Sequence, residues 1–424
     1  MQYTKYELLP YNLHIINTKK FKTVNIRINF KTKAVKEDLT KRNFLSDLLL
    51  RSTSNYHSEK EMAIKCEVLY DLNYSSSCNI SGNYSILSFD TTFLNEKFTE
   101  EGMLEQSISF FLDMITKPDV KNHKFNSDTF NITKKNIHDI LISEKDNPNH
   151  YSFTELMKII AKDSPISYNS NGYLEDLEKI NESNLYDYYE NLLKSNLIDI
   201  FIVGDVDNTK IKEIFADKFK INTFKKNKEK HIIEHKQLPK RAKSKKITAD
   251  FTQSQLLLGY KISAMNDFER NYVSTIYSFI LGGGPDSKLF QTVREKNSLC
   301  YSINSIVYKT FNLLIIKSGI DKNDYKKAVS LIKKEVANIN KSKITEEELE
   351  KAKITYINSC KEILDSPSSI IGVYVAKEYL NTDLLEDRIK NIEKVTKDMV
   401  VSFGKKLYLD TIFLLEGGLA SEGE

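Results

Sequence analysis

The 424-residue chain has no apolar run near the roughly 18–20 residues that a membrane-spanning helix requires, so no membrane span is expected. Its opening residues, MQYTKYELLPYN, contain no apolar core of the kind that marks a secretory leader. Cysteine is scarce. Cys66, Cys78, Cys300 and Cys360 are scattered without a C-x-x-C pair, which speaks against a disulfide framework or a thiolate zinc cluster. Such usage fits a reducing, cytoplasmic setting. A dominant charge is also missing: 62 basic and 58 acidic side chains leave a net of +4, too little to imply nucleic acid as a partner. What is present, 40% hydrophobic and 28% charged residues, is the composition of a globular protein and excludes global disorder. The length allows two or three domains.

The order of elements repeats. Strand-like alternation over 13–30 leads to an apolar-periodic helix at 40–51, a strand pair at 73–93 and helices at 103–116, 128–145, 151–162 and 181–194. This half closes on the apolar strand IDIFIVGDVD at 198–207. The second half opens with strand residues 248–263, continues through helices at 268–281 and 286–296, and has strands at 300–320. Helices at 322–340, 345–364, 370–380 and 396–406 then precede a closing strand at 410–417. Short stretches align as well: LEKINESNL (177–185) with IEKVTKDMV (392–400), and EKDNP (144–148) with ILDSP (363–367). Two copies of one α+β unit are the simplest account, with residues 1–224 as one domain and 247–424 as the other. Between them, the Lys-rich segment 225–246 carries Pro239 and little that can be buried, so it is expected to be a solvated linker.

His231-Ile-Ile-Glu234-His235 spells H-x-x-E-H, a string in which two imidazoles one helical turn apart grip zinc and the carboxylate activates water. Taken alone it suggests an autonomous zinc peptidase. It lies in the expected linker, however, where nothing rigid aligns the rings. Lysines surround it, and no acidic residue occurs from Lys296 through Ile320 to serve as a third ligand. The plainer reading is a charged linker that happens to carry the string.

Two other segments carry a family resemblance. LGGGPDSKLFQTVREKNSLCYSI (281–303) resembles the C-terminal signature of the pitrilysin/insulinase/mitochondrial-processing-peptidase superfamily of zinc peptidases, with Arg294 and Tyr301 as its Arg-Tyr pair. The stretch from Asn43 to Thr53, NFLSDLLLRST, resembles the superfamily's zinc helix, H-F-L-E-H-M-L-F-K-G-T. Its apolar frame survives, but Asn43, Ser46 and Asp47 replace the two His and the Glu. The distal ligand of active relatives precedes a D-N-P turn, which LISEKDNP (141–148) supplies, placing Asp139 near that position. Asn is a poor zinc ligand and Ser cannot act as a general base at neutral pH, so no metal or cofactor is expected in this chain.

The resemblance implies two homologous α+β domains, each a mostly antiparallel sheet packed with helices, facing each other as a clam-like chamber. It also implies a division of labour. The chain is similar to a bacterial, Firmicutes-type non-peptidase subunit, in which the zinc half is degenerate while the Arg-Tyr half is intact. Arg294 and Tyr301 would then act in trans, in a heterodimer with a homologous zinc-bearing peptidase subunit, on a peptide or small-protein substrate. Such a peptide would add as a strand to an open sheet edge, for which Ser76, Ser77, Cys78, Asn79 and Ile80 are the candidates. A structural or adaptor protein without peptide chemistry is the alternative from a different class.

Overall fold

The computed structural model describes residues 1–221 and 231–418. Strands β1 (Gln2–Glu7), β2 (Tyr11–Asn17) and β3 (Thr23–Lys33) precede helices α1 (Leu39–Leu48) and α2 (Glu59–Val68). The hairpin β4 (Asn73–Ser81) and β5 (Tyr84–Leu94), helix α3 (Met103–Thr116) and the short pair β6 (Val120–Lys121) and β7 (Lys124–Phe125) follow. Next come α4 (Ser127–Ser143), α5 (Pro148–Ile160), α6 (Leu174–Leu177), α7 (Glu182–Ser195), β8 (Leu197–Gly204) and α8 (Asn208–Lys218). The second half has β9 (Lys243–Ala249), β10 (Ser254–Ile262), α9 (Ser274–Gly282), β11 (Cys300–Tyr308) and β12 (Leu313–Ile320). It ends with α10 (Tyr325–Asn340), α11 (Glu346–Ile363), α12 (Pro367–Leu380), α13 (Leu385–Glu393), α14 (Lys397–Gly404) and β13 (Leu407–Gly417).

The fold is α+β, as expected, and its duplication is visible in strand order. The first sheet runs β1-β2-β8-β3-β5-β4 and the second β11-β12-β10-β13-β9. Read from β2 in one and β9 in the other, both have the same plan. A parallel pair comes first (β2 with β8, β9 with β13), and three antiparallel neighbours follow. Hairpins cannot produce the parallel pair, which needs a long crossover. Each unit meets that need with its helices, so the closing strand returns beside β2 in the first half and beside β9 in the second. Central strands β8, β10 and β12 are apolar runs because both of their faces are covered. One core gathers Leu13, Ile28, Phe44 and Phe111, and a second gathers Leu258, Ile276, Leu314 and Phe403.

The two compact units are interleaved along the chain. Within the described residues, the first comprises 1–143, 168–221 and 364–379, and the second 144–167, 231–363 and 380–418. Each half therefore lends one helix to the other unit: α5 belongs with the second sheet and α12 with the first. The crossings fall at the two stretches that align in sequence, EKDNP and ILDSP, whose prolines open α5 and α12. Proline suits this place because its missing N–H would have no partner in the first helical turn.

The expected linker 225–246 needs correcting at its end. Residues 225–230 lie outside the described residues, and 231–242 form no helix or strand. Lys243–Ala249, however, is β9, paired in parallel with β13 from Lys243↔Thr411 to Ala249↔Gly417. The lysines that suggested a tether sit on an edge strand, where charged side chains discourage pairing with other chains.

Candidate functional site

Helix α1 is where the resemblance places a zinc site. It forms because Phe44, Leu45 and Leu48 share a buried stripe, with Phe44 stacked on Phe130 of α4 at 4.8 Å between ring centroids. Asn43, Ser46 and Asp47 all lie on this helix, and each is already engaged. Asn43 Nδ2 donates to the carbonyl of Asn171 at 3.2 Å, and Ser46 Oγ donates to the carbonyl of Asn43 at 2.7 Å. Asp47 accepts from Arg51 one turn later, at 2.8 and 3.1 Å, and Arg51 also reaches Glu59. The loop that supplies Asn171 is fastened to α1 itself. Gly172 has φ +98°, and a Cβ there would lie 2.5 Å from Thr40 Oγ1 and 2.6 Å from its Cα, so only glycine fits.

Asp139 is not brought to this helix. It is exposed, with 63% of its side chain accessible, and its nearest polar partner is His138 at 3.3 Å. The buried face of α4 carries Phe130, Thr133, Ile137 and Leu141, and Asp139 falls about 200° around the helix from Ile137. Two threonines of α4 are buried as well, Thr129 and the more deeply placed Thr133. Thr133 is fully buried, and its hydroxyl has no hydrogen-bond partner among the described residues. The i, i+3, i+7 spacing of the buried residues was the signal that distinguishes Thr133 from Asp139.

The H-x-x-E-H string is equally unsuited to zinc. No helix spans it, so its rings are not on one face. Ile233 N–H donates to the carbonyl of Thr310 at 2.8 Å, and His235 Nε2 lies 2.9 Å from the carbonyl of Asn312, an oxygen that can only accept. That nitrogen therefore carries a proton rather than a free lone pair. Burial holds the His235 imidazole below its ordinary pKa, with hydrogen bonding to Asn312 acting in the opposite direction. Among the described residues, no group of three or more His, Cys, Asp or Glu is arranged to hold a metal ion. Purified chain exposed to zinc and then dialysed is expected to retain far less than one equivalent. Elemental analysis showing one zinc per chain, lost in His231→Ala, would contradict this.

Ser76–Ile80 lie where an added strand would dock. They belong to β4, the outer edge of the first sheet. Alternation sends Ser76 toward α1, where its hydroxyl donates to the Ser46 carbonyl at 2.7 Å, and Cys78 beside Ser85 at 3.8 Å. Ser77 and Asn79 point to the opposite face. The edge is thus anchored directly to the degenerate helix.

In the second unit the structure brings Arg294 and Tyr301 together. Arg294 sits in a π-helical turn, Phe290–Glu295, and Tyr301 is the second residue of β11, at a bulge between Cys300 paired with Ile320 and Ser302 paired with Gly319. The guanidinium carbon lies 4.5 Å from the Phe290 ring centre and 5.4 Å from that of Tyr301. Among the described residues its carboxylate neighbour is Glu295 at 3.6 Å, a half-exposed contact of small energetic weight. Tyr301 is 80% exposed, so it is no core aromatic. A bulge is a common device for re-aiming a side chain out of a ladder, and π-turns concentrate at functional sites. Close packing of α9 on β11 supports this loop: a Cβ on Gly282 would lie 2.8 Å from Ser305 N, and Ser278 Oγ donates to the Ser305 carbonyl at 2.8 Å.

A duplicated α+β plan, a helix with Asn43, Ser46 and Asp47 at the positions the resemblance gives to zinc ligands, and an exposed Arg-Tyr pair together describe a peptidase-like fold. Residues 179–356 match the family model described as "Peptidase M16 inactive domain". It is 25% identical to the "Probable inactive metalloprotease YmfF" of Bacillus subtilis over 95% of both chains. It is 24% identical to the "Uncharacterized zinc protease YmxG" of the same organism, over 73% of this chain and 75% of that one. Among solved structures, a conserved protein from Enterococcus faecalis superposes with a TM-score of 0.88 at 26% identity, covering 97% of each chain.

Proposed function

We propose that this chain is the non-catalytic subunit of a two-subunit zinc peptidase, binding peptide and completing the active site of a zinc-bearing homologue. The observation that carries the reading is the contrast between its two sites. Every polar residue at the degenerate zinc helix is engaged within the chain, whereas Tyr301 is exposed, its hydroxyl making no hydrogen bond among the described residues. An exposed phenol beside a guanidinium can donate to a developing oxyanion and orient a peptide carbonyl, neither of which needs a metal in the same chain. The open edge of β4 supports peptide binding by strand addition, in which main-chain hydrogen bonds supply affinity whatever the peptide's sequence.

The same reading locates the complex in the cytoplasm, in keeping with four unpaired thiols and no helix among the described residues long and apolar enough to cross a membrane. The test is reconstitution. The chain is mixed with a zinc-bearing homologue such as the zinc protease YmxG that it resembles, and cleavage of an unstructured peptide is followed for each protein and for the mixture. Activity is expected only, or predominantly, in the mixture. Stable association without any gain in cleavage would favour an adaptor instead, and no association would sink the proposal.

A further inference from the structure

The exchanged helices α5 and α12 are held by different physics. α5 lies on the second sheet through apolar contacts: Phe153 stacks on Tyr308 at 5.4 Å, and Ile160 and Leu156 fill the space above Gly259. α12 meets the first sheet on a polar face. Tyr379 Oη donates to Asp199 Oδ2 at 2.9 Å, Arg27 donates to Ser368 Oγ at 3.1 Å, and Glu378 accepts from Tyr3 at 2.9 Å and from Lys5 at 2.8 Å. At the centre lies His14 of β2, fully buried and stacked on Phe201 at 4.3 Å. Its Nδ1 is 2.8 Å from Tyr3 Oη and its Nε2 is 3.3 Å from Asp199 Oδ1.

Proton counting makes this cluster a switch. Asp199 offers only acceptor oxygens to His14, so Nε2 must carry a hydrogen. Burial alone would raise the Asp199 carboxyl, but His14, Asn12 and Tyr379 outweigh it and hold it below its ordinary range, so it remains ionised. Tyr3 has one hydrogen and two neighbours that can take it. If that hydrogen goes to Glu378, the Tyr3 oxygen is an acceptor and His14 Nδ1 must be protonated too. If His14 gives up that proton, Nδ1 becomes an acceptor and draws the Tyr3 hydrogen to itself. Glu378, which Lys5 and Tyr3 hold below the ordinary carboxylate range despite burial, then loses its bond from β1.

We propose that α12 is fastened to the first unit by a proton-dependent latch, in which the charge on His14 decides whether Tyr3 donates to α12 or to the imidazole. The groups facing His14 are Tyr3 and Lys5 from β1, Asp199 from β8, Lys31 from β3, and Tyr374, Glu378 and Tyr379 from α12. Lys31 reinforces the arrangement. Its ammonium lies between the Tyr84 and Tyr379 rings, at 4.2 and 4.0 Å, and burial lowers it to about 8 while Asp199 partly opposes the shift. Protonating His14 strengthens the α12 contact, and losing that proton weakens it, so the latch loosens as pH rises. The consequence is topological: α12 is the one stretch after residue 231 that belongs to the first unit, flanked on both sides by chain of the second.

The experiment is hydrogen–deuterium exchange on the full chain between pH 5.5 and 8.5, corrected for intrinsic exchange rates and read on fragments from residues 367–380 and, as a control, 148–160. One charge-assisted hydrogen bond corresponds to about tenfold or more in local opening. The α12 fragments are therefore expected to exchange roughly tenfold faster at the upper pH, while those of α5 change little. Tyr3→Phe removes the shared hydrogen and should leave α12 fast at both ends with no step. If Tyr3→Phe fails to fold, Glu378→Gln is read instead and should shrink the step. A flat wild-type profile, or a step of unchanged size in the variant, would overturn the latch. Since this readout is taken on the chain alone, its failure is separate from a failure of reconstitution.

Discussion

Tyr301→Phe is expected to slow peptide cleavage by the reconstituted complex by about 10²–10³-fold while leaving assembly intact. The substitution removes only a hydroxyl from a side chain that is 80% exposed, so neither the core nor the β11 pairing depends on it. Loss of one preorganised donor to an oxyanion typically has this cost, because the donor acts on charge that develops in the transition state and not on the bound substrate. Arg294→Ala should raise KM more than it lowers kcat, since the guanidinium is held beside the phenol by the Phe290 and Tyr301 rings and offers a planar, fixed charge for positioning. Association is measured separately, by sedimentation or light scattering. Unchanged cleavage by both variants in a confirmed complex would reduce the pair to surface residues.

Arg42→Ala is expected to destabilise the first unit by about 3–5 kcal/mol, among the largest single-residue effects in the chain. Arg42 is fully buried on α1, immediately before Asn43. Its Nε donates to Ser85 Oγ at 2.9 Å, Nη1 to Asn196 Oδ1 at 2.8 Å and Nη2 to the Phe30 carbonyl at 2.7 Å. Removing the guanidinium leaves these acceptors unpaired in a dry interior and opens a cavity as well. The same bonds tie α1 to β3, to β5 and to the turn before β8, so Arg42 fixes the place of this helix. Urea unfolding compared with the exposed control Lys60→Ala checks this, and a loss below about 1 kcal/mol would show that the buried acceptors find other partners.

Much of the site was legible because its signals are local. The NFLSDLLLRST stretch has helical periodicity and lacks imidazoles, and the structure forms helix α1 over most of it. TVREKNSLCY fixed the identity of Arg294 and Tyr301, and the alternation in Ser76–Ile80 identified a strand. Asp139 misled because proximity to a D-N-P turn says nothing about helix face, whereas the Phe130-Thr133-Ile137-Leu141 spacing does. The lysines of 243–246 misled for a related reason: composition favours a solvated tether, but an edge strand tolerates the same charges once its backbone pairs with β13.

By itself the sequence determined what each short segment can be: which helices have an apolar stripe, which strands are covered on both faces, and which positions lack the chemistry to bind zinc. These follow from side-chain type and from periods of 3.6 and 2, which span a few residues. Only the tertiary structure decided which unit each helix serves. EKDNP and ILDSP read as ordinary helix starts, and nothing within them reveals that α5 and α12 cross to the opposite unit, because partner choice depends on complementary faces hundreds of residues away. His14 shows the same limit. In sequence it is one of several polar residues in β2, with Asn12 and Asn17; its role comes from Tyr3 on β1, Asp199 on β8 and, through Tyr3, Glu378 on α12, which meet only when the sheet has formed and the exchanged helix has docked.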